Sequence, residues 1–556
     1  MLDFALDKSL WERVRNDDTY AQHRREIKEL YSEAFKTEPR SHSVSDILNN
    51  DDKGLWRLQF DHLQSSALMA LIYPDNEEYY NNLLKTVWAY LNEYTWAPLG
   101  HYSEQYYGKT PKDFDYGLID IFAASIAFSL AEIKNLFRDR FPRLLIDRIT
   151  YEIRRRAIEP YLTRKFFWES HNNNWTAVCA GAVGGVLIYE APELFFENQE
   201  RLHKSMECYL ASYKDDGMSV EGVGYWEFGF GFFTSYALLE KEITRGEFDW
   251  FKIPKVREIA KFLQKTFLQR DVLVTFSDSS VQQRYFFGVH HMLRHALGEE
   301  IEALPPQLGH VAFNNTHFNF SLRSVIYYNT DCVGEGVKTN VTYSAKNSNY
   351  LIKRTGSYGF ACKGGTNGES HNHIDVGSFI LAVNNKQIIC DVGAGPYEDG
   401  YHTDRRYTFF NPSSYAHNIP IIDGLGQSDR ATDEVFVEYD ENSRVAKMEI
   451  SSPYRMEKLR GLQRRFVLEE SKITLTDSFD LTGESDITER FLSLIEPEIK
   501  NGEIIIDGVK IKCDIQPKIT KKELKHHSKD ESYKVYLIDY SFNLSNGKFE
   551  IEIEIN

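Results

Sequence analysis

An incomplete (α/α) toroid followed by an antiparallel β-sandwich is the architecture this sequence predicts. Three observations predict it. The chain has 556 residues, too many for one ordinary hydrophobic core. Roughly its first 300 residues carry apolar positions at the three- and four-residue spacing of amphipathic helices. After "ALPPQLGH" at 303–310 the texture changes to short, partly alternating β-rich runs separated by turn residues. The expected domains are therefore residues 1–310 and 311–556.

In the helical part, "NNLLKTVWAYLNEY" (81–94), "DYGLIDIFAASIAFSLAEIKNLF" (115–137), "RLLIDRITYEIRRRAI" (143–158) and "VREIAKFLQKTFL" (256–268) repeat the helical spacing. Asp115 stands where an N-cap is wanted. The run "RRR" at 154–156 reads as a solvated helix face. The connecting loops "TWAPLGHYSEQYYG", "FWESHNNNWTAV" and "DDGMSVEGVGYWEFG" are rich in aromatic and polar groups. Helix pairs whose unusual residues collect in loops suggest a toroid with a cleft at one end. An α-solenoid would need a fixed-period repeat, and the sequence has none.

In the second part, "NYLIKRTGSYGFACKGG", "GSFILAVNNKQIICDVG", "DEVFVEYD", "RVAKMEIS", "LQRRFVLEESKITLTDSFDL", "KVYLIDYSFNL" and "KFEIEIEIN" read as strands, with "VNNKQ" and "LSNGK" as turns.

Composition narrows the function. Hydrophobic and charged shares of 42% and 26% are those of a globular protein, and a net charge of −17 argues against nucleic acid or an anionic membrane as partner. An aromatic share of 14% suits large helical cores and sugar-stacking clefts alike. Six scattered cysteines without a CxxC pair fit a reducing compartment. The N-terminus "MLDFALDKSLWERVRNDD" has no signal-peptide pattern, so the expected location is cytoplasmic, a trimmed secreted or periplasmic chain being the alternative.

The densest chemistry lies in "GESHNHIDVGSFIL" (368–381), which reads as a buried strand carrying two histidines. Side chains two apart on a strand share a face, so His371 and His373 can address one site. Asp391 follows in "IICDVGAG" and His417 in "SSYAHNIPIIDG". Two imidazoles and a carboxylate would suit one divalent ion of the zinc or manganese type; ordinary hydrogen-bonded core polar residues would read the same from spacing alone.

"GESHNHIDVGSFIL", "IICDVGAGPY", "RRYTFFNPSSYAHNIPIIDG" and "RRFVLEESKITLTDSFD" resemble, in order, blocks of the heparinase II/III-like β-domain. "HNNNWTA" and "DGMSVEGVGYWEFG" resemble the same family's toroid loops. That resemblance implies a polysaccharide lyase, which cuts uronate-containing glycans by β-elimination. The implied substrates are glycosaminoglycans such as heparan sulfate, chondroitin sulfate or hyaluronan, then alginate-type uronans. It makes His371 catalytic and gives a mainly structural ion to His373, Asp391 and His417, with Asp375 in support. Tyr225 matches the family's catalytic tyrosine, and Asn173, Asn174 and His171 are the candidates for neutralising the substrate carboxylate. Trp96, His101 and Trp175 are expected to line the cleft, and Arg405 and Arg406 to meet an acidic substrate, a surface turn being the other reading of the arginine pair. A glycoside hydrolase would instead need two suitably spaced carboxylic acids, for which Asp215, Glu221 and Glu227 are available. A glycan-binding protein without catalysis is the third class. Oligomeric state is open.

Overall fold

A computed structural model of the chain describes residues 3–48, 52–102, 117–313, 317–398, 400–401, 403–526 and 531–555. The first part is helical. Its long central helices, Ile121–Leu136, Asn174–Glu190 and Val223–Ile243, are buried almost throughout, whereas Glu77–Leu91, Arg143–Ile153 and Pro192–Leu210 bury one face only. The helix Asn174–Glu190 owes its central place to small residues. A Cβ on Gly184 would stand 2.5 Å from the Tyr236 ring and one on Gly181 3.0 Å from the Phe232 carbonyl, so Val223–Ile243 lies directly against it. Asp115 lies outside the described residues. The helix that follows it is capped by Asp120, whose carboxylate accepts from the Ala123 amide at 2.7 Å.

A five-stranded antiparallel sheet comes next, in sequence order: Val341–Ala345, Tyr350–Arg354, Tyr358–Lys363, Phe379–Val383 and Lys386–Ile389. Its strands Tyr358–Lys363 and Phe379–Val383 are buried on both faces, because the sheet is the middle layer. Alternate residues Tyr350, Ile352, Ala361, Ile380 and Ala382 join the helical core. Leu351, Phe360, Cys362, Phe379 and Leu381 face a ten-stranded antiparallel sheet instead. Phe466 of the larger sheet meets both Phe360 and Phe379 at ring-centroid distances of 5.1 Å. The period-two alternation thus distributes apolar residues between two cores, which is why "SFILAV" reads as unbroken apolar sequence.

Two details differ from the sequence reading. "KVYLIDYSFNL" and "KFEIEIEIN" are not a hairpin: Ser532–Glu554 is one long strand paired with Lys472–Ser493, and "LSNGK" runs through it opposite a bulge after Asp480. "VNNKQ" is a tight turn, with Asn384 and Asn385 both at positive φ. At the junction, helix Phe318–Ile326 still packs in the helical core, Arg323 pairing with Glu132 at 2.8 Å, and the first sheet strand begins at Val341. The change of architecture therefore lies between 326 and 341 rather than at 310.

Candidate active site and metal centre

The site forms where three segments meet: the start of helix Val223–Ile243, the stretch 275–280 between the short strands Val272–Leu273 and Tyr285–Phe286, and the β-domain loops 364–378 and 390–418. Gly222 begins the helix at φ +94°, and a Cβ there would lie 2.4 Å from the Ser279 hydroxyl. That hydroxyl accepts from the Val223 amide at 3.2 Å, and the Ser279 carbonyl accepts from the Ala394 amide at 2.8 Å. One short segment so ties Tyr225 to the loop bearing Asp391.

His371 and His373 do not sit on a strand. They lie in the loop before Phe379–Val383, and His371 has φ +54°, a left-handed turn that ends any two-residue alternation. They converge nonetheless, on a residue the sequence reading missed. Asp278 is buried; its Oδ2 meets His371 Nδ1 at 3.1 Å and its Oδ1 meets His373 Nε2 at 3.2 Å. The same Oδ1 accepts from Arg406 at 2.8 Å and from the Tyr401 hydroxyl at 3.0 Å. Burial opposes its ionisation, but the hydrogen bonds from His371 and His373, with the Arg406 charge, outweigh burial and hold the carboxyl well below the usual range. "TFSDSS" is an ordinary polar run in a sequence, and only the fold shows its partners.

Tyr225 stacks on His371, ring centroids 3.7 Å apart and planes 19° from parallel. Its hydroxyl is 3.0 Å from that of Tyr397, also absent from the sequence reading. Burial pushes the Tyr225 phenol up, and the Asp278 charge adds to the shift. His371 lines an open cleft of about 540 Å³ whose wall carries two arginines, Arg406 and Arg430, and three acids, Glu369, Asp404 and Asp429.

His373, Asp391 and His417 are fully buried, and one ligand atom of each falls within 4.8 Å of the others. Asp391 Oδ2 meets His417 Nδ1 at 2.9 Å. His373 Nδ1 and His417 Nε2 are buried with no hydrogen-bond partner. Two orphaned imidazole nitrogens beside a buried carboxylate are what a metal ion would satisfy, so this trio fits one. Asp375 stands apart from it, in a buried ion pair with Lys363 at 2.9 Å.

Asn173 caps helix Asn174–Glu190, its carbonyl oxygen accepting from the Trp175 amide at 3.1 Å. Asn174 is buried in the first turn, and a Cβ on Gly229 would reach its Cβ at 3.2 Å. Gly229 is four residues from Tyr225, hence on the same side of its helix. His171 is exposed and meets Phe167 edge-on. His101 pairs with Asp120 at 2.5 Å and stands 5.0 Å, ring to ring, from Trp175. Trp96 is a correction: it is 1% exposed, donates to the Tyr90 carbonyl and lies under the Arg156 guanidinium, so it is core and lines no cleft. The arginine pair divides. Arg405 is exposed on a turn, and Arg406 is buried against Asp278, so its charge is already engaged.

The hydrolase candidates do not assemble. Glu227 is buried, accepts from the Phe286 amide at 2.6 Å and has its carboxyl pushed up to about 8 by burial. Asp215 is exposed, and Glu221 alone lies against His371 and Ser370.

Residues 339–537 match the model of the heparinase II/III-like C-terminal domain. No curated protein matches the chain. Among solved structures, heparinase III is similar with a TM-score of 0.61 at 14% identity, over 90% of this chain and 77% of that one. Heparan sulfate lyase HepC from Pedobacter heparinus is similar with 0.56 at 12% identity, over 98% and 92%. The chondroitin AC lyase of Streptomyces coelicolor A3, in complex with chondroitin sulphate, is similar with 0.54 at 9% identity, over 99% and 82%. The toroid-plus-sandwich fold is common to them. Residues 339–537 thus resemble the heparinase II/III-like C-terminal domain, and the chain as a whole shares the helical-toroid-plus-sandwich fold of these structures.

Proposed function

We propose that the chain is a polysaccharide lyase that cleaves uronate-containing glycans by β-elimination. The observation that carries this reading is Tyr225 stacked on His371, which lines an open cleft, with Asp278 behind the histidine. Elimination removes the proton on the carbon next to the carboxylate and expels the glycosidic oxygen one carbon on, which needs a base, an acid and a neutralised carboxylate.

The geometry supports a division of labour. With Nδ1 turned to the ionised Asp278, the hydrogen bond makes that nitrogen the donor and leaves Nε2 as the basic edge of His371. His371 takes the proton. Tyr225 keeps its own proton at neutral pH, because its phenol is shifted upward, and gives it to the leaving oxygen. Asn174, packed against Gly229 one helical turn beyond Tyr225, offers its amide to the substrate carboxylate; Asn173 already spends its oxygen on the helix cap. His101 and Trp175 flank the same end of the helical part, His101 holding Asp120.

A divalent ion of the zinc or manganese class would be held by His373, Asp391 and His417, supplying fixed positive charge that keeps the His373 loop in place. Because Asp278 touches His373 with one oxygen and His371 with the other, order at the ion site passes to the base through a single carboxylate.

The sulfated and unsulfated glycosaminoglycans are the first substrate class, as heparan sulfate and chondroitin sulfate are for the similar lyases, with alginate-type uronans second. The test is incubation with heparan sulfate, chondroitin sulfate, hyaluronan and alginate, following the ultraviolet absorbance of the unsaturated uronate product. A rise on one substrate that Tyr225→Phe abolishes is expected. New reducing ends without that absorbance would mean hydrolysis and overturn the reading.

A further inference from the structure

A second surface is left over on the outer wall of the helical part. Helices Glu77–Leu91 and Arg143–Ile153 lie side by side there and run in the same direction. The Tyr80 hydroxyl donates to the Arg140 carbonyl near their starts, Arg148 donates to the Leu91 carbonyl at 2.9 Å further along, and Arg156 donates to the Glu93 carbonyl at 2.6 Å beyond their ends. Trp88 shares the Leu84 and Leu91 side of its helix, the side turned to the neighbouring helix. On that neighbour Leu144, Arg148, Tyr151 and Arg155 form one stripe at four- and three-residue spacing.

These side chains are out in solvent. Trp88 is 48% exposed, Tyr94 46%, Leu144 76% and Tyr151 59%, four of the thirteen exposed large apolar side chains among the described residues and all beside one seam. Isolated exposed apolar residues need no explanation; a cluster of three aromatics does. The charge of the seam is the second observation. Arg148, Arg155 and Arg156 all close on a single carboxylate, that of Glu152, at 3.0, 2.8 and 2.7 Å. Over residues 143–159 five arginines stand against three acids, Asp147, Glu152 and Glu159, a locally positive stretch on a protein whose net charge is −17. Arg148 Nε has no partner, and the Arg155 guanidinium lies over the Tyr151 ring at 5.6 Å. The helix passes after Ile153 into a π-helical turn, Arg154–Ile158, a local irregularity that shifts Arg155 and Arg156 from their regular α-helical directions.

We infer that this seam is a binding site for an anionic polysaccharide, separate from the cleft. The rings of Trp88 and Tyr151 would take the apolar faces of sugar rings, and Arg148 and Arg155 their carboxylate or sulfate groups. It rests on the proposed lyase reading for its choice of glycan, and it gives a long chain a second hold on the enzyme while the cleft acts on one end.

The test separates holding from cutting. Binding of the full chain carrying Tyr225→Phe is measured against heparan sulfate, hyaluronan and alginate chains, with neutral dextran as control, alone and combined with Trp88→Ala and Tyr151→Ala. About tenfold weaker binding of the long anionic chain on adding the two alanines is expected. Without Tyr225→Phe, the same pair should raise KM for long chains and leave turnover of a tetrasaccharide unchanged. Undiminished binding overturns the inference, as does equal binding of dextran. A change in sedimentation, dimer to monomer, would assign the face to a second copy of the chain and overturn it also. Binding that falls as expected with no unsaturated product from any substrate would keep the seam and overturn the lyase reading alone.

Discussion

Asp278 is the residue on which most of the site depends. Its two oxygens meet the proposed base, a proposed metal ligand, an arginine and a tyrosine, and the carboxylate itself is buried. Asp278→Asn keeps the shape but removes the charge that fixes the His371 tautomer. A fall in kcat on the order of 10² to 10⁴ is expected, with KM far less affected, by analogy with other histidine–aspartate pairs; initial rates across a substrate series measure it. Glu227 gives a pH prediction. Its folded-state value, raised to about 8 by burial, lies above that of the unfolded chain. Below the unfolded value both states are protonated and nothing is gained or lost. As pH rises from there to about 8 the unfolded state ionises first, so stability falls. Glu227→Gln, which still accepts from the Phe286 amide, removes that slope and stabilises the protein at pH above 8 by an amount on the order of a few kcal/mol. Thermal denaturation of both proteins between acid and mildly alkaline pH checks it.

At the scale of the element, the first turn of Asn174–Glu190 separates structure from chemistry in adjacent residues. Asn173 is the cap, so Asn173→Ala should cost about 1 kcal/mol of stability and leave most activity in place. Asn174 caps nothing and faces the Tyr225 helix, so Asn174→Ala should leave the melting temperature nearly unchanged and remove most turnover. Parallel melting curves and rates decide between these roles; equal activity loss in both would undo the assignment of Asn174. The strands teach a related lesson. "GSFILAV" looks like a strand whichever way it is buried, but its place as the middle layer, with Ile380 and Ala382 toward the helices and Phe379 and Leu381 toward the larger sheet, requires partners on both sides.

In the whole molecule, the buried trio His373, Asp391 and His417 lies in the β-domain and is tied to the helical part through Asp278 and Ser279. Removing an ion by chelation should lower the melting temperature and the rate together, with both restored by adding zinc or manganese back. His417→Ala should do the same irreversibly, and metal content measured on the purified protein is the independent check. Retained metal in His417→Ala would place the ion elsewhere.

Much of this was legible in the residues. Helical spacing, the change of texture after residue 300, and the blocks around His371, Asp391 and His417 each depend on local pattern, and local pattern survives in a sequence. The buried trio came from motif order and the structure places it together. What the sequence could not decide is contact between segments far apart in the chain. Asp278 is 93 residues from His371, and Tyr397 is 172 from Tyr225. Trp96 looked like a cleft aromatic because an exposed and a buried tryptophan have the same letter; the packing of Arg156 over its ring settled the matter. Composition and periodicity fixed which surfaces must be buried, and tertiary structure alone decided which polar groups were buried with them, because only there does each find the partner that offsets its lost water.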